Sequence, residues 1–151
     1  MEILDSSVKE LRRVAHNMMP EALLKFGLKE ALGDFCVEID TPQMKVGYHY
    51  YGEKMRLSQN IEIALYRIAQ ELINNALKHS NASEINVQLL VDYERASLTV
   101  QDNGQGFDLG ATGVTGFGLN SIRSRVAALN GIIDISSDKG RGTEIEIEFT
   151  I

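Results

Sequence analysis

Three polar residues share one stripe of a long predicted helix. Glu71, Asn75 and Lys78 follow one another at intervals of four and three residues, and His79 lies at the edge of the stripe. Carboxylate and amide oxygens suit Mg²⁺, and an ammonium group suits a phosphate. The row adjoins the apolar face of the helix, so we expect its members to be partly buried. It predicts a metal–phosphate site, although a solvated helix face with a charge pair has the same spacing.

A second motif begins where a predicted strand ends. Asp102 is followed by glycines at positions 104 and 106, in the pattern D-x-G-x-G. An aspartate at a strand end can accept a hydrogen bond from an exocyclic amine, and glycines let the backbone approach a flat ligand. An ordinary turn is the alternative interpretation, because Asp-Asn-Gly is common in turns.

Two further glycine pairs follow along the chain. Gly116 and Gly118 precede a predicted helix that starts at Leu119. A helix N-terminus after glycines is suited to binding an anion, although a flexible connector has the same composition. The segment Gly140-Arg141-Gly142-Thr143 leads into the last strand, and on its own it predicts no more than a tight hairpin.

Hydrophobic periodicity predicts the elements that position these motifs. The first half is predicted to contain a heptad-like helix over 2–19 that ends at Pro20, an extended segment over 37–51 and, between them, a helix with four apolar residues on one side: Leu28, Ala31, Leu32 and Phe35. A long helix over 58–78 follows, and then two strands around 85–89 and 98–100. The last part is predicted to contain a mobile glycine-rich loop over 104–118, a helix from 119 to a stop at Asn130-Gly131, and a C-terminal hairpin.

Composition restricts the class of protein. The chain has 151 residues, a net charge of −6 and 44% apolar residues, as expected for one soluble globular domain. The acidic balance argues against a general nucleic-acid binder. A single cysteine, Cys36, excludes an internal disulfide framework and a cysteine-rich metal site. We also predict no membrane-spanning segment and no signal peptide, and therefore a cytoplasmic chain.

Together, in this order and spacing, the four motifs resemble the N, G1, G2 and G3 boxes of the GHKL ATPase superfamily. The match covers roughly residues 58–151. Within that superfamily, segments 65–79 and 118–126 are similar to the histidine kinases that pair with NarL-type response regulators. Segments 19–23 and 27–32 look like the junction between their dimerisation helices and their ATPase domain. The resemblance implies an α/β two-layer sandwich, the Bergerat fold, with helices on one face of a mixed sheet and a glycine-rich ATP lid.

The resemblance also implies roles in binding the base and the metal. Asp102 would bind the adenine amino group, helped by a water held by Thr143. Gly104 and Gly106 would let the chain pass the base. Asn75 would coordinate Mg²⁺. Glu71 matches a position that polarises the attacking group or supports the metal shell.

Other matching residues would serve the phosphates. Lys78 and His79 would contact phosphate. Gly116 and Gly118 would form the hinge of the lid, and the backbone amides around Gly118 and Leu119 would face the phosphates. Glu71, Asn75 and Lys78 are thus the expected catalytic group, with ATP and Mg²⁺ as cofactors.

The implied function is transfer of the ATP γ-phosphoryl group to a histidine in an upstream dimerisation helix that this chain lacks. Residues 1–20 would be the C-terminal remnant of the dimerisation and histidine-phosphotransfer region, at the end of its second helix, and residues 21–151 the catalytic ATP-binding domain. The expected partners are ATP, the protein's own phosphoacceptor domain and a NarL-type response regulator. We expect no nucleic acid, no direct membrane contact by this chain, and a homodimeric parent that is cytoplasmic or anchored to a membrane outside this region.

One departure and three alternatives accompany this interpretation. His16 precedes Asn17, whereas the family's phosphoacceptor histidine precedes an acidic residue, so His16 matches the end of the second dimerisation helix. The alternatives are a serine-protein kinase of the anti-sigma-factor type, an ATP-hydrolysing clamp and a non-catalytic nucleotide-binding module. A clamp requires a further transducer domain, and intact Glu71, Asn75 and Asp102 argue against a degenerate module.

Overall fold

A five-stranded mixed sheet with helices packed on one face forms the body of the protein. The computed structural model describes residues 21–106 and 119–151. The helices are α1 (Glu21–Phe26), α2 (Leu28–Ile39), α3 (Gln59–His79) and α4 (Leu119–Ala128). The strands are β1 (Lys45–Gly52), β2 (Glu84–Val91), β3 (Arg95–Asp102), β4 (Ile132–Asp138) and β5 (Gly142–Thr150).

The order of the strands across the sheet is β1-β2-β3-β5-β4. β1 runs parallel to β2, and the other neighbours are antiparallel. A parallel pair needs a crossover connection, which α3 provides between β1 and β2. Alternate residues of β2 and β3 are buried, so one face of the sheet packs on the core and the other meets solvent.

Helix α3 covers the core face of the sheet. Its predicted apolar stripe is confirmed, with Ile61 partly buried and the other members buried: Leu65, Ile68, Leu72 and Ala76. The Ser58 hydroxyl accepts a hydrogen bond from the Ile61 amide at 3.4 Å, which caps the helix as the sequence predicts. The regular burial of this stripe fixes the direction in which the polar stripe of Glu71 and Asn75 faces.

The predicted α/β two-layer sandwich is confirmed, and most element positions agree with it. The prediction of an extended segment from residue 37 is wrong at its start, because α2 continues to Ile39. Val37 has β-forming character, but it lies 76% exposed on the outer side of a helix that Leu32 and Phe35 anchor in the core. Core packing therefore overrides local propensity. The predicted helix over 2–19 and the loop beyond residue 106 lie outside the described residues.

Helix α1 was not predicted, and one charged network holds it against α3. The Arg56 guanidinium donates to the carbonyl oxygens of Leu23, Leu24 and Lys25 at 3.3–3.5 Å and to the Glu62 carboxylate at 2.9–3.3 Å. Buried Glu62 also accepts from the Leu28 amide at 3.1 Å, at the start of α2. A single carboxylate thus ties the first turn of α3 to the junction of α1 and α2. No helix in the described ranges is both long and apolar enough to cross a membrane.

Candidate functional site

A polar row crosses three neighbouring strands at one end of the sheet. Thr143 on β5 lies opposite Asp102 on β3 and opposite Ser137 on β4. The preceding row on the same face is apolar: Val100, Ile145 and Ile135. The core face of the sheet therefore changes from apolar to polar at the position where β3 ends.

Asp102 is the charged residue of this row, and it is buried. Its side chain is 9% exposed, and Oδ1 accepts a hydrogen bond from the Gly104 amide at 2.8 Å. Burial raises the pKa of Asp102, and hydrogen bonds from the backbone amides of Gly104 and Thr143 offset part of that increase. A ligand that donates a hydrogen bond to this carboxylate would stabilise its ionised form. The site therefore favours a ligand amine.

An open cavity of about 160 Å³ adjoins the polar row. The polar row lines it together with the exposed residues of the adjacent row and the hairpin: Gln101, Asp102, Ser136, Ser137, Asp138, Arg141, Gly142, Thr143 and Glu144. The cavity wall therefore combines carboxylates and hydroxyl groups with one guanidinium. Such a polar, concave surface suits a ligand with hydrogen-bonding edges.

The structure explains why positions 104 and 106 are occupied by glycine. A Cβ on Gly104 would lie 2.2 Å from the Ser80 carbonyl oxygen. Gly106 has φ +64°, and a Cβ there would lie 2.0 Å from the Asp138 carbonyl oxygen. The Gln105 amide also donates to the Ser80 oxygen at 2.7 Å. Gly104 and Gln105 thus hold the segment after Asp102 against the C-terminal end of α3, and Gly106 lies against the end of β4.

This contact brings the polar stripe of α3 close to the polar row of the sheet. Asn75 precedes Ser80 by five residues, which is about 7.5 Å along a helix axis. Glu71 and Asn75 are half-buried as predicted, but Lys78 is exposed, so the expected partial burial of that lysine is wrong. Lys78 lies near the C-terminal end of α3, where the helix surface reaches solvent. The side chain of His79 lies outside the described part of the chain.

Glu71 has a partner that the sequence did not reveal. Arg125 on α4 places Nε 3.4 Å from Glu71 Oε1, with both side chains partly exposed. The pair links the helix after the glycine-rich segment to the helix with the predicted metal ligands. Leu119 is buried at the start of α4, and the contact of its backbone amide with phosphate stays a prediction. Gly116 and Gly118 lie outside the described residues.

The donor set fits a weakly held divalent cation. Within residues 21–106 and 119–151, no three histidine, cysteine or acidic side chains form a cluster that could hold a metal ion. Mg²⁺ does not require such a cluster, because it is usually held by one or two protein groups together with substrate phosphates and waters. The Asn75 amide oxygen and the Glu71 carboxylate are chemically suited to that task.

Known proteins match this chain in sequence and in fold. The family model described as histidine kinase-, DNA gyrase B-, and HSP90-like ATPase matches residues 60–151. Sensor histidine kinase MctS of Rhizobium johnstonii is 36% identical over 95% of this chain and 32% of its own length. Sensor histidine kinase LiaS of Bacillus subtilis is 30% identical over 97% of this chain and 44% of its own length. The chain thus spans less than half the length of these relatives.

A solved structure supports the same fold. The histidine kinase domain of a blue-light-activated histidine kinase from Erythrobacter litoralis aligns with a TM-score of 0.63 and 20% identity, covering 81% of this chain and 64% of that one. The family match covers residues 60–151, and the solved structure shows the same fold. The chain therefore belongs to the histidine kinase-, DNA gyrase B- and HSP90-like ATPase family, and its relatives are sensor histidine kinases.

Proposed function

We propose that this chain binds ATP·Mg²⁺ and is the catalytic domain of a two-component sensor histidine kinase. It would transfer the γ-phosphoryl group to a histidine in an upstream dimerisation helix, for relay to a NarL-type response regulator. The observation that carries the proposal is the buried Asp102 carboxylate at the end of β3, because the segment that follows it contacts Ser80 at the end of the helix that bears Asn75. The sensor-kinase relatives support the same conclusion.

Each side chain has a task in this proposal. Asp102 accepts a hydrogen bond from the adenine amine, and Thr143 supports it through a water. Asn75 ligates Mg²⁺, which neutralises phosphate charge when bound. Glu71 assists the metal or orients the attacking imidazole.

The remaining proposed contacts concern the phosphates and the lid. Lys78 and His79 contact phosphate, and the Leu119 amide faces it from the start of α4. Gly116 and Gly118 are the hinge of a lid that excludes water. Phosphoryl transfer to the attacking histidine depends mainly on positioning and electrostatic stabilisation, which these groups can supply without a cysteine or serine nucleophile.

The same proposal covers the organisation of the parent protein. Residues 1–20 are the end of a dimerisation helix, and residues 21–151 are the catalytic domain. The parent is a homodimer in which the catalytic domain meets its own phosphoacceptor domain in the cytoplasm. The proposal includes no direct membrane contact by this chain.

A thermal-shift titration tests the proposed site. We expect ATP with Mg²⁺ to raise the Tm of the chain, because a ligand that binds only the folded state stabilises it. Asp102→Ala should abolish the shift. Asn75→Ala should retain a shift with ATP alone and lose the additional effect of Mg²⁺. Normal ATP binding by Asp102→Ala would contradict the adenine assignment.

A further inference from the structure

The hydroxyl groups of Ser137 and Thr143 lie within hydrogen-bond distance of each other. Ser137 Oγ lies 3.2 Å from the Gly142 carbonyl oxygen and 2.8 Å from Thr143 Oγ1. A hydroxyl has one proton to donate, and a carbonyl oxygen can only accept. Either hydroxyl could donate in the contact between them, but Ser137 must donate in the bond to Gly142. Both hydrogen bonds form together only when Ser137 donates to Gly142 and Thr143 donates to Ser137.

This arrangement leaves Thr143 with lone pairs only. Its proton points towards β4, so its oxygen can act towards the cavity only as an acceptor. Asp102, directly opposite on β3, is also an acceptor when it is ionised. Two adjacent acceptors line one cavity, and they complement a ligand edge that donates hydrogen bonds.

We propose that Ser137 sets the purine preference of this site by fixing the direction of the Thr143 hydroxyl proton. The inference rests on the proposed ATP binding and assigns a role to a residue outside the four sequence motifs. Adenine presents an amine at C6, which can donate to the two acceptors directly or through water. Hypoxanthine presents a carbonyl oxygen at the same position, which meets acceptors and is disfavoured.

Removal of the Ser137 hydroxyl would weaken this discrimination. Thr143 would lose the acceptor for its proton and could turn that proton towards the cavity. A carbonyl at C6 would then find a donor at Thr143, where the wild-type residue presents an acceptor. Ser137 acts through Thr143 without contacting the base, so it is a positioning residue.

The test compares the affinities of ATP and inosine triphosphate, which differ in the C6 substituent and the N1 proton. Dissociation constants are measured by calorimetry on the 151-residue chain, with wild type and Ser137→Ala side by side. We expect wild type to prefer ATP. In Ser137→Ala, that preference should fall by roughly three- to tenfold, the range that one hydrogen bond is worth, mainly because inosine triphosphate binds more tightly.

Three further variants control for loss of structure. Ser137→Thr keeps a hydroxyl and should keep the wild-type ratio. Ser137→Val also lacks the hydroxyl, and valine is well tolerated in strands. It should therefore lower the preference for ATP as Ser137→Ala does, and it replaces the alanine variant if that variant fails to fold. Thr150→Val removes an exposed hydroxyl at the opposite end of β5, outside the cavity lining, and it should not change the ratio.

The possible outcomes separate this inference from the proposed function. An unchanged ratio in Ser137→Ala and Ser137→Val, or an equal loss of affinity for both nucleotides, would overturn the role of Ser137 while ATP binding stands. A wild-type chain that binds neither nucleotide would overturn the proposed function, and this inference with it.

Discussion

Asp102 shows how a single residue can favour function at the expense of stability. Its raised pKa means that the folded chain holds this carboxyl in a medium that disfavours its charge. The stability that protonated Asp102 contributes is present at low pH and is lost as the pH rises through the raised pKa. A nucleotide amine would supply the missing partner. The unfavourable burial of this charge therefore lies where a bound ligand can offset it.

The affinity for the base should depend on pH through the same carboxyl. We expect adenosine, which has no phosphate to titrate, to bind the ionised form of Asp102. Its affinity should then decrease about tenfold for each pH unit below the raised pKa. An NMR titration with adenosine at a series of pH values measures this. Asp102→Asn is the control and should bind weakly at every pH, whereas a pH-independent affinity in wild type would contradict the assignment.

Sequence predicted some site residues and missed others for a physical reason. Asp102, Asn75 and Thr143 belong to motifs with fixed spacing, so they were identified before the fold. Ser137 and Arg125 acquire their contacts from strand register and helix packing. Ser137 and Thr143 flank the predicted hairpin turn. Assigning the strand register of that hairpin from the sequence would therefore have predicted that these two residues lie opposite each other.

Among the secondary-structure elements, α1, α2 and α3 are joined by a polar network centred on the buried Glu62 carboxylate. Glu62 is 3% exposed, and it satisfies both the Arg56 guanidinium and the Leu28 amide. Burial of a carboxylate is favourable only if it is paired and hydrogen-bonded. The network therefore fixes where the segment following residue 20 meets the helix that carries Asn75.

Removal of Glu62 should destabilise the chain. We expect Glu62→Ala to lower the free energy of unfolding by about 2–3 kcal/mol, because it leaves a buried amide without its acceptor and removes a charged partner. Urea denaturation measures the change. Glu30→Ala, on the exposed side of α2, is the matched control and should change stability by less than about 0.5 kcal/mol. Equal effects of the two substitutions would contradict the role of the network.

Elements with strong periodicity were predictable, and short or ambiguous ones were not. The stripe of α3 and the alternation of β2 and β3 gave type and position correctly. Helix α1 has only six residues, too few for a periodic signal, and tertiary contacts stabilise it. The parallel pairing of β1 with β2 was also not predicted, because local sequence does not specify a strand's neighbour.

At the scale of the whole molecule, the fold suits a catalytic module whose substrate histidine is on another element. The sheet and α3 place the proposed base and metal residues near one end of the core. His16 lies outside the described residues, and its sequence context differs from that of a phosphoacceptor. The proposed activity therefore requires a histidine from elsewhere in the parent protein.

The chain should bind ATP without phosphorylating itself. After incubation with Mg²⁺ and ATP radiolabelled on the γ-phosphate, we expect no base-stable label on the protein. His16→Gln should give the same result as wild type. Label that is present on wild type and absent from His16→Gln would show that His16 is an acceptor, and would contradict the proposed division at residue 20.

The most direct measurement is a crystal structure of the chain with Mg²⁺ and a non-hydrolysable ATP analogue. We expect the adenine amine within about 3 Å of an Asp102 carboxylate oxygen. We also expect a metal ion on the Asn75 side chain, beside the phosphates. Nucleotide density distant from both Asp102 and Asn75 would contradict both expectations.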